Sequence, residues 1–307
     1  MKAIRIHGFA NSPLIEDIPT PDIGPEEVLV RVEATALNPL DGLVASGVAR
    51  QFFKIDLPIT LGTDFAGTIE RIGEAVTRWN VGDRVIACVD AGTSGGLADF
   101  AVAPASACVP LPSTLSAVQG SAIPTAGITA WHSLFSNAGL KAGETVLIHA
   151  GAGGVGSFAV QFACVAGAQV IATASGDGLA IASALGAQKV IDYKNEDFTR
   201  LTSDVDVVLD LVGGETQSRS YRALRTGGRL VSTVMPPDES EAREHRVTAS
   251  MFYAKPFIER LGELVTIVAE QNLKVVIDRT VAFERFDEAW KHQLSGRARG
   301  KVVVLPH

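Results

Sequence analysis

What this chain has little of constrains it first. Its 307 residues hold three cysteines, Cys88, Cys108 and Cys164, far apart in sequence. That suits reduced cytosolic thiols and leaves no disulfide framework. Basic residues do not cluster and the formal net charge is −7, so the electrostatic footprint of a nucleic-acid binder is missing. The opening residues Met1-Lys-Ala-Ile-Arg-Ile-His7 alternate like a strand and lack a long apolar signal core. Between Glu144 and Asp177 no Asp, Glu, Lys or Arg occurs, a stretch long enough to span a membrane. Glycines at 151, 153, 154, 156, 167 and 176, with Gln161 and Gln169, argue against that. A strand–helix–strand buried on both faces explains the run, since parallel strands carry near-continuous apolar sequence. The expectation is a soluble, cytoplasmic protein with no membrane and no nucleic-acid partner. His7, His132, His149, His245, His292 and His307 never fall at metal-ligand spacing. His149 reads as a buried neutral imidazole, and His132 as structural or as an acid–base group.

What is present is a glycine-rich turn. Thr145-Val-Leu-Ile-His-Ala150 reads as a buried parallel strand and runs into Gly151-Ala-Gly-Gly-Val-Gly156, which opens a helix through Cys164. In G-x-G-x-x-G, Gly151 serves the tight turn, Gly153 close approach to a pyrophosphate, and Gly156 helix–strand packing. With Gly154 and Val155, the helix N-terminus offers N–H groups and partial positive charge to phosphates. A second strand, Gln169-Val-Ile-Ala-Thr-Ala174, follows at βαβ spacing. The unit binds a dinucleotide.

The first 120 residues or so read as short strands, at Met1–Phe9, Glu27–Leu37, Asp64–Ile72, Asp83–Val89 and Leu97–Val102, separated by Pro, Gly and Asp. That is the pattern of a compact antiparallel β domain. Thr125–Ala138 reads as a helix. Strands and helices then alternate over 145–150, 155–166, 169–174, 178–185, 189–192, 205–211, 215–224 and 229–234. Gly186 and Gly227-Gly228 serve as helix stops. The pattern predicts an α/β chain with a doubly wound parallel sheet. A helix over Phe257–Gln271, a strand over Lys274–Asp278, a helix over Phe286–Leu294 stopped by Gly296 and a strand over Lys301–Leu305 complete the chain. The last portion is expected to return to the β domain. The boundaries are therefore 1–122 with 275–307 for the β domain, and 123–274 for the dinucleotide-binding domain.

Segments in order along the chain resemble the medium-chain dehydrogenase/reductase superfamily, in its zinc-free quinone oxidoreductase (zeta-crystallin-like) branch. They are Met1-Lys-Ala-Ile, Ala36-Leu-Asn-Pro-Leu-Asp41, Leu61-Gly-Thr-Asp-Phe-Ala-Gly67, Val81-Gly-Asp-Arg-Val85, Gly95-Gly-Leu-Ala-Asp-Phe-Ala101, Thr129-Ala-Trp131, the glycine turn, Leu185-Gly-Ala187, Val190-Ile-Asp-Tyr193, Asp210-Leu-Val-Gly-Gly214 and Gly300-Lys-Val-Val303. The resemblance implies a GroES-like catalytic domain, a Rossmann domain, and a nicotinamide bound in the cleft between them. Zinc relatives carry a ligand cysteine where this chain has Asn38, and His-Glu where it has Thr63-Asp64. Three scattered cysteines cannot form a four-thiolate lobe. No zinc is expected, and Asp64 reads as a buried hydrogen-bonding carboxylate.

By the same resemblance, Asn38 lies near the nicotinamide and offers an amide to a ribose hydroxyl or a substrate carbonyl; a plain turn at Asn38-Pro39 is the alternative. Asp41 orients the site or caps a helix. Thr129 bonds the nicotinamide side or is a structural threonine, and Val212 belongs with the cofactor-binding residues. Lys301 contacts cofactor or is a surface lysine at a strand start. Phe52-Phe53 lines an acceptor pocket or fills core. The mixed charges of Glu239–Arg246 read as a solvated loop. Many enoyl-thioester reductases of the superfamily place a proton-donating tyrosine soon after the Asn-Pro-x-Asp segment. Here the tyrosines are Tyr193, Tyr221 and Tyr253, all far downstream.

The second Rossmann strand ends at Ala174-Ser175-Gly176, without the carboxylate that takes a ribose 2′-hydroxyl in NAD enzymes. Ser175 leaves room there and offers a hydroxyl, and Tyr193 resembles the position that contacts adenosine phosphate or base in NADPH relatives, so the resemblance points to NADPH over NADH. Gly178, where NADPH relatives often carry lysine, and Asp177, an N-cap or an alternative ribose acceptor, weigh the other way. The expected activity is hydride transfer from NADPH to a quinone or α,β-unsaturated carbonyl. An enoyl-thioester or 2-enal reductase, and a nucleotide-binding regulatory or crystallin-like protein without turnover, are the alternatives. The resemblance also implies a homodimer through an edge strand near His245–Phe252.

Overall fold

The computed structural model describes residues 1–252 and 260–306. The chain divides into two compact units, Met1–Thr125 with Pro256–His307, and Ala126–Lys255.

The first unit is β-rich. Its strands are β1 Lys2–Ile6, β2 Leu14–Asp17, β3 Glu27–Ala36, β4 Ile59–Thr60, β5 Asp64–Ile72, β6 Arg84–Cys88, β7 Phe100–Pro104 and β8 Cys108–Pro110. Two later strands, β15 Ile277–Ala282 and β16 Lys301–Leu305, join them. β2-β1-β4 form one small antiparallel sheet, and β15-β16-β3-β5-β6-β8 form the larger one, with β7 also on β3. β16 lies antiparallel to β3, pairing Val303 with Ala36, and parallel to β15. The last portion of the chain thus returns to the β unit, as its apolar Lys-Val-Val-Val-Leu run suggests. One core holds Ile4, Ile6, Leu37, Val44, Phe283, Phe286, Val302 and Val304; a second holds Val28, Val30, Phe65, Ile69, Trp79 and Val85. Each fully buried large side chain contributes about 1.5–3 kcal/mol.

The second unit carries the parallel sheet. Its strands are β9 Thr145–Ile148, β10 Gln169–Ala174, β11 Lys189–Asp192, β12 Val205–Asp210, β13 Leu224–Ser232 and β14 Thr248–Met251, in spatial order β11-β10-β9-β12-β13-β14. Every pairing is parallel. This is the 3-2-1-4-5-6 order of a Rossmann sheet, whose ligand crevice lies where the winding reverses, here at the carboxyl ends of β9 and β12. Val146, Leu147 and Ile148 are wholly buried, as a central strand covered on both faces requires.

The helices are α1 Pro39–Ser46, α2 Ala117–Ser121, α3 Pro124–Trp131, α4 Gly154–Val165, α5 Gly178–Ala184, α6 Phe198–Leu201, α7 Gly214–Ser220, α8 Glu239–Glu244, α9 Leu261–Glu270 and α10 Phe286–Leu294. Several differ from the sequence-based expectation. The helix through Thr125–Ala138 is α3 followed by a π-helical segment at His132–Asn137. Gly227-Gly228 do not stop a helix but lie inside β13, beside a register shift against β12. Glu239–Arg246 is not a loop: Asp238 accepts the amides of Ser240 and Glu241 and starts α8. The strand expected at Lys274–Asp278 begins at Ile277. The helix expected over Phe257–Gln271 begins, within the described residues, at Leu261; its first expected positions lie outside them. α9 goes with the β-rich unit and not with the dinucleotide-binding one. Its buried stripe, Leu261, Leu264, Val265 and Val268, explains this: a β carbon at Gly262 would lie 3.7 Å from Val109 of β8.

Candidate active site

In the β-rich unit, α1 begins at Asn38, and Pro39 follows where a helix has no use for an amide hydrogen. Asp41 reaches back, its Oδ2 accepting the Asn38 amide at 2.7 Å, while its Oδ1 accepts the Gly62 amide at 2.9 Å. Asp41 therefore both caps α1 and fixes the loop before β5. Burial pushes its carboxyl up to about 6, against the two amide bonds and the Lys301 charge, which pull it down.

Asn38 is buried and bonded through its side chain. Its Nδ2 donates to Thr63 Oγ1 at 3.3 Å, and Thr63 Oγ1 donates to Asp64 Oδ1 at 3.2 Å. Asp64 also accepts the Thr125 amide at 2.9 Å, the Thr125 hydroxyl at 2.7 Å and the Cys88 thiol at 3.6 Å. It is a buried hydrogen-bonding carboxylate. Burial, reinforced by the Asp64 charge, raises the Cys88 thiol well above its ordinary range, so it is no nucleophile.

Lys301 corrects the surface reading. The residue is 4% exposed, and its Nζ donates to the Leu37 carbonyl at 2.8 Å and to Asn38 Oδ1. No ion pair reaches it within 4 Å among the described residues. Burial lowers its pKa, and the charges of Asp64, Asp41 and Cys88 oppose that. Gly300 makes the approach possible: its φ is +92°, and a β carbon there would lie 2.2 Å from the Val276 carbonyl oxygen.

In the second unit, the glycine turn divides its labour. A β carbon at Gly156 would stand 2.1 Å from the Ala150 carbonyl oxygen, and one at Gly151 would stand 2.7 Å from the Ala172 β carbon. Both are demanded by the protein's own packing. At Gly153 the nearest atom is 3.2 Å away, again the Ala150 oxygen, so internal contacts press on it far less. Gly153 is the N-cap of α4, and the amides of Gly154, Val155 and Gly156 lie in its first turn, where helices have no internal acceptor. That cradle fits a diphosphate.

Beneath the turn lies a network that sequence reasoning missed. His149 Nδ1 is 3.1 Å from Thr173 Oγ1, and Nε2 is 2.8 Å from Ser220 Oγ. Ser220 donates to the Thr216 carbonyl at 2.6 Å, so it accepts from imidazole Nε2; the neutral ring then has a lone pair on Nδ1, which accepts the Thr173 hydrogen, while Thr173 Oγ1 also accepts the Ala150 amide at 3.2 Å. The proton therefore sits on Nε2. Burial lowers the His149 pKa to about 4. The neutral imidazole expected from the sequence is what stands there. At the end of β12, Asp210 accepts the amides of Val212 and Gly213 at 3.0 and 2.8 Å, shaping the loop that leaves Val212 exposed. Ser175 Oγ lies 3.1 Å from Tyr193 Oη at the ends of β10 and β11. Thr129 is buried on α3, and His132 Nδ1 lies 2.9 Å from Ser136 Oγ. Phe53 packs on the first core while Phe52 is exposed. Tyr221 is buried and donates to the Asp238 carbonyl; Tyr253 and His307 fall outside the described residues.

A Rossmann sheet with this turn, carried with a GroES-like β unit, defines a pyridine-nucleotide-dependent oxidoreductase. Residues 24–113 match the alcohol dehydrogenase GroES-like domain, and residues 185–304 match the zinc-binding dehydrogenase family. The chain is 33% identical to the chloroplast envelope quinone oxidoreductase homolog of Arabidopsis thaliana, over 94% of this chain and 92% of that protein. It superposes on the quinone oxidoreductase from Coxiella burnetii with a TM-score of 0.91 at 34% identity, and on the CurK enoyl reductase with 0.89 at 28%, each covering 99% or more of both chains. The chain belongs to the medium-chain dehydrogenase/reductase superfamily, is homologous to its quinone oxidoreductases, and is an oxidoreductase.

The zinc of that family description does not fit these residues. Among the described residues, no group of three or more His, Cys, Asp or Glu is placed to hold a metal. Asn38, Thr63 and Asp64 offer an amide, a hydroxyl and one carboxylate, and the Lys301 ammonium is already bonded to the amide oxygen. A divalent cation would meet like charge there. No helix among the described residues is long and apolar enough to cross a membrane.

Proposed function

We propose that the protein is a zinc-independent, NADPH-dependent reductase of quinones or α,β-unsaturated carbonyls. When bound, the coenzyme supplies a hydride from its reduced nicotinamide ring. The α4 amides at Gly154, Val155 and Gly156 hold its diphosphate, and Gly153 keeps the approach open. Thr129 and Val212 contact the nicotinamide side. Asn38 donates a hydrogen bond to the acceptor's carbonyl oxygen, and Asp41 holds Asn38 at the start of α1. Hydride and one proton together convert a quinone to its hydroquinone. The product anion is delocalised and needs little help beyond a positioned donor.

The observation that carries this reading is the buried ammonium–amide pair of Lys301 and Asn38, a fixed cation and a neutral donor in place of a metal ligand set. For the coenzyme, the hydroxyls of Ser175 and Tyr193 at the ends of β10 and β11 leave a 2′-phosphate unopposed by a carboxylate at that position. NADPH binds at least about tenfold tighter than NADH, measured by fluorescence titration. Equal affinities defeat the preference. A steady-state assay with NADPH and an ortho-quinone tests the activity, and binding without turnover on any acceptor would leave a nucleotide-binding protein instead.

The resemblance to the CurK enoyl reductase supports a second reading, reduction of an enoyl thioester. Faster turnover of a crotonyl thioester than of any quinone decides for it. We further propose a cytoplasmic homodimer paired along β14, the outer strand of the parallel sheet. Light scattering coupled to gel filtration reads its mass directly.

A further inference from the structure

We infer that Lys301 is a positioning residue that makes Asn38 a hydrogen-bond donor only, and so selects ligands that present an oxygen lone pair. This rests on the reading above for the identity of the acceptor, but not for the orientation of the amide.

The orientation follows from the donors around it. An ammonium has hydrogens and no lone pair, so only the oxygen of the Asn38 amide can face Lys301 Nζ. The Leu37 carbonyl, 2.8 Å from the same Nζ, holds the ammonium in place. On the other side, Nδ2 donates one hydrogen to Thr63 Oγ1, whose own hydrogen is committed to Asp64. One Nδ2 hydrogen remains. The flipped amide would set its hydrogens against an ammonium and its oxygen against a hydroxyl whose hydrogen is engaged, which is unfavourable at both ends. A relay running Lys301 to Asn38 to Thr63 to Asp64, buried throughout, therefore fixes one of the two amide orientations.

The chemical consequence is selective. A group meeting Asn38 must accept a hydrogen bond. A quinone or enone carbonyl does so, and accepts more strongly as hydride arrival adds negative charge to its oxygen, so the bond favours the transition state over the ground state. Without Lys301 the amide turns, presenting its own oxygen for part of the time.

The test is a double-mutant cycle with a spectroscopic arm. Lys301→Met keeps the apolar stem and removes every donor. Its kcat for the quinone is expected to fall at least about tenfold, with the NADPH dissociation constant within about twofold of wild type. In an Asn38→Ala background, Lys301→Met should cost nothing further, because it acts through the amide. Losses that multiply independently overturn the inference. The side-chain amide signal of Asn38 in 15N-labelled protein, assigned by its loss in Asn38→Ala, should shift or broaden in Lys301→Met; an unchanged signal also overturns it. Should Lys301→Met not fold, Thr63→Val releases the same amide from its other end and is expected to show the same two effects. If wild-type protein reduces no quinone, the functional reading fails, while the amide signal still decides this inference.

Discussion

His149 gives a prediction whose size can be worked out from its surroundings. Its imidazole is 1% exposed and both ring nitrogens are occupied, Nε2–H by Ser220 and Nδ1 by the Thr173 hydroxyl. A second proton would have to enter at Nδ1, displacing the Thr173 hydrogen. In the unfolded chain the ring takes that proton near pH 6.5; in the fold it does not until about 4. Between those values the unfolded chain holds more protons, so the contribution to stability is complete above pH 6.5 and declines as pH falls through the window. The displacement is about 2.5 pH units at about 1.4 kcal/mol each, or about 3 kcal/mol in full. His149→Gln keeps a donor for Ser220 and cannot titrate. At pH 7.5 the variant should be less stable than wild type by about 1–3 kcal/mol, the cost of imperfectly met hydrogen bonds. By pH 4.5 that gap should shrink by about 2–3 kcal/mol. Urea unfolding of both proteins at the two pH values measures it. A gap that does not change with pH refutes the reasoning, and so does a long-range 15N spectrum showing the proton on Nδ1.

Asp41 titrates with the opposite sign. Its carboxyl is raised to about 6, so its contribution is present at low pH and is lost as pH rises; relative to Asp41→Asn, wild type should lose about 2 kcal/mol between pH 4.5 and 7.5 in the same unfolding experiment. The glycine turn predicts a split between two single substitutions. Gly156→Ala meets backbone and should destabilise the fold by about 1–3 kcal/mol or more, whereas Gly153→Ala should melt near the wild-type temperature yet bind NADPH at least about tenfold more weakly. Equal losses of stability in the two would remove the case for an external ligand at Gly153. Ser175→Asp places a carboxylate beside Tyr193 and should reverse the coenzyme preference, with NADH the tighter ligand by fluorescence titration.

How far the sequence could be read depended on whether the cause was local. β5, β10, α10 and β16 fall where periodicity and turn residues put them, because the pattern and its breakers lie within each segment. Gly227-Gly228 misled because two glycines signal a break without saying which element breaks; here they lie inside a strand at a register shift. The placement of α9 depends on what its apolar stripe meets, and the β8 contact is remote in sequence. The same holds in the site. The capping role of Asp41 was legible from one short motif, yet the Gly62 amide it also accepts and the burial that raises its carboxyl were not. For Lys301 the sequence left a cofactor contact and a surface lysine both open, and the run of valines after it carried the signal against the second. A strand with no polar alternation is covered on both faces, and its first side chain is covered too. The Thr173–His149–Ser220 chain joins residues from three separate elements and has no signature in any of them.

The bond between Lys301 and Asn38 spans 263 positions of sequence, whereas the Rossmann unit is one uninterrupted stretch, Ala126–Lys255. On the ribosome these parts mature at different times. The dinucleotide cradle can close before β16 is made, but the Asn38 amide gains its Lys301 bond only when β16 slots beside β3. A nascent chain can therefore complete its glycine-turn cradle before the Lys301–Asn38 pair of the β-rich unit exists.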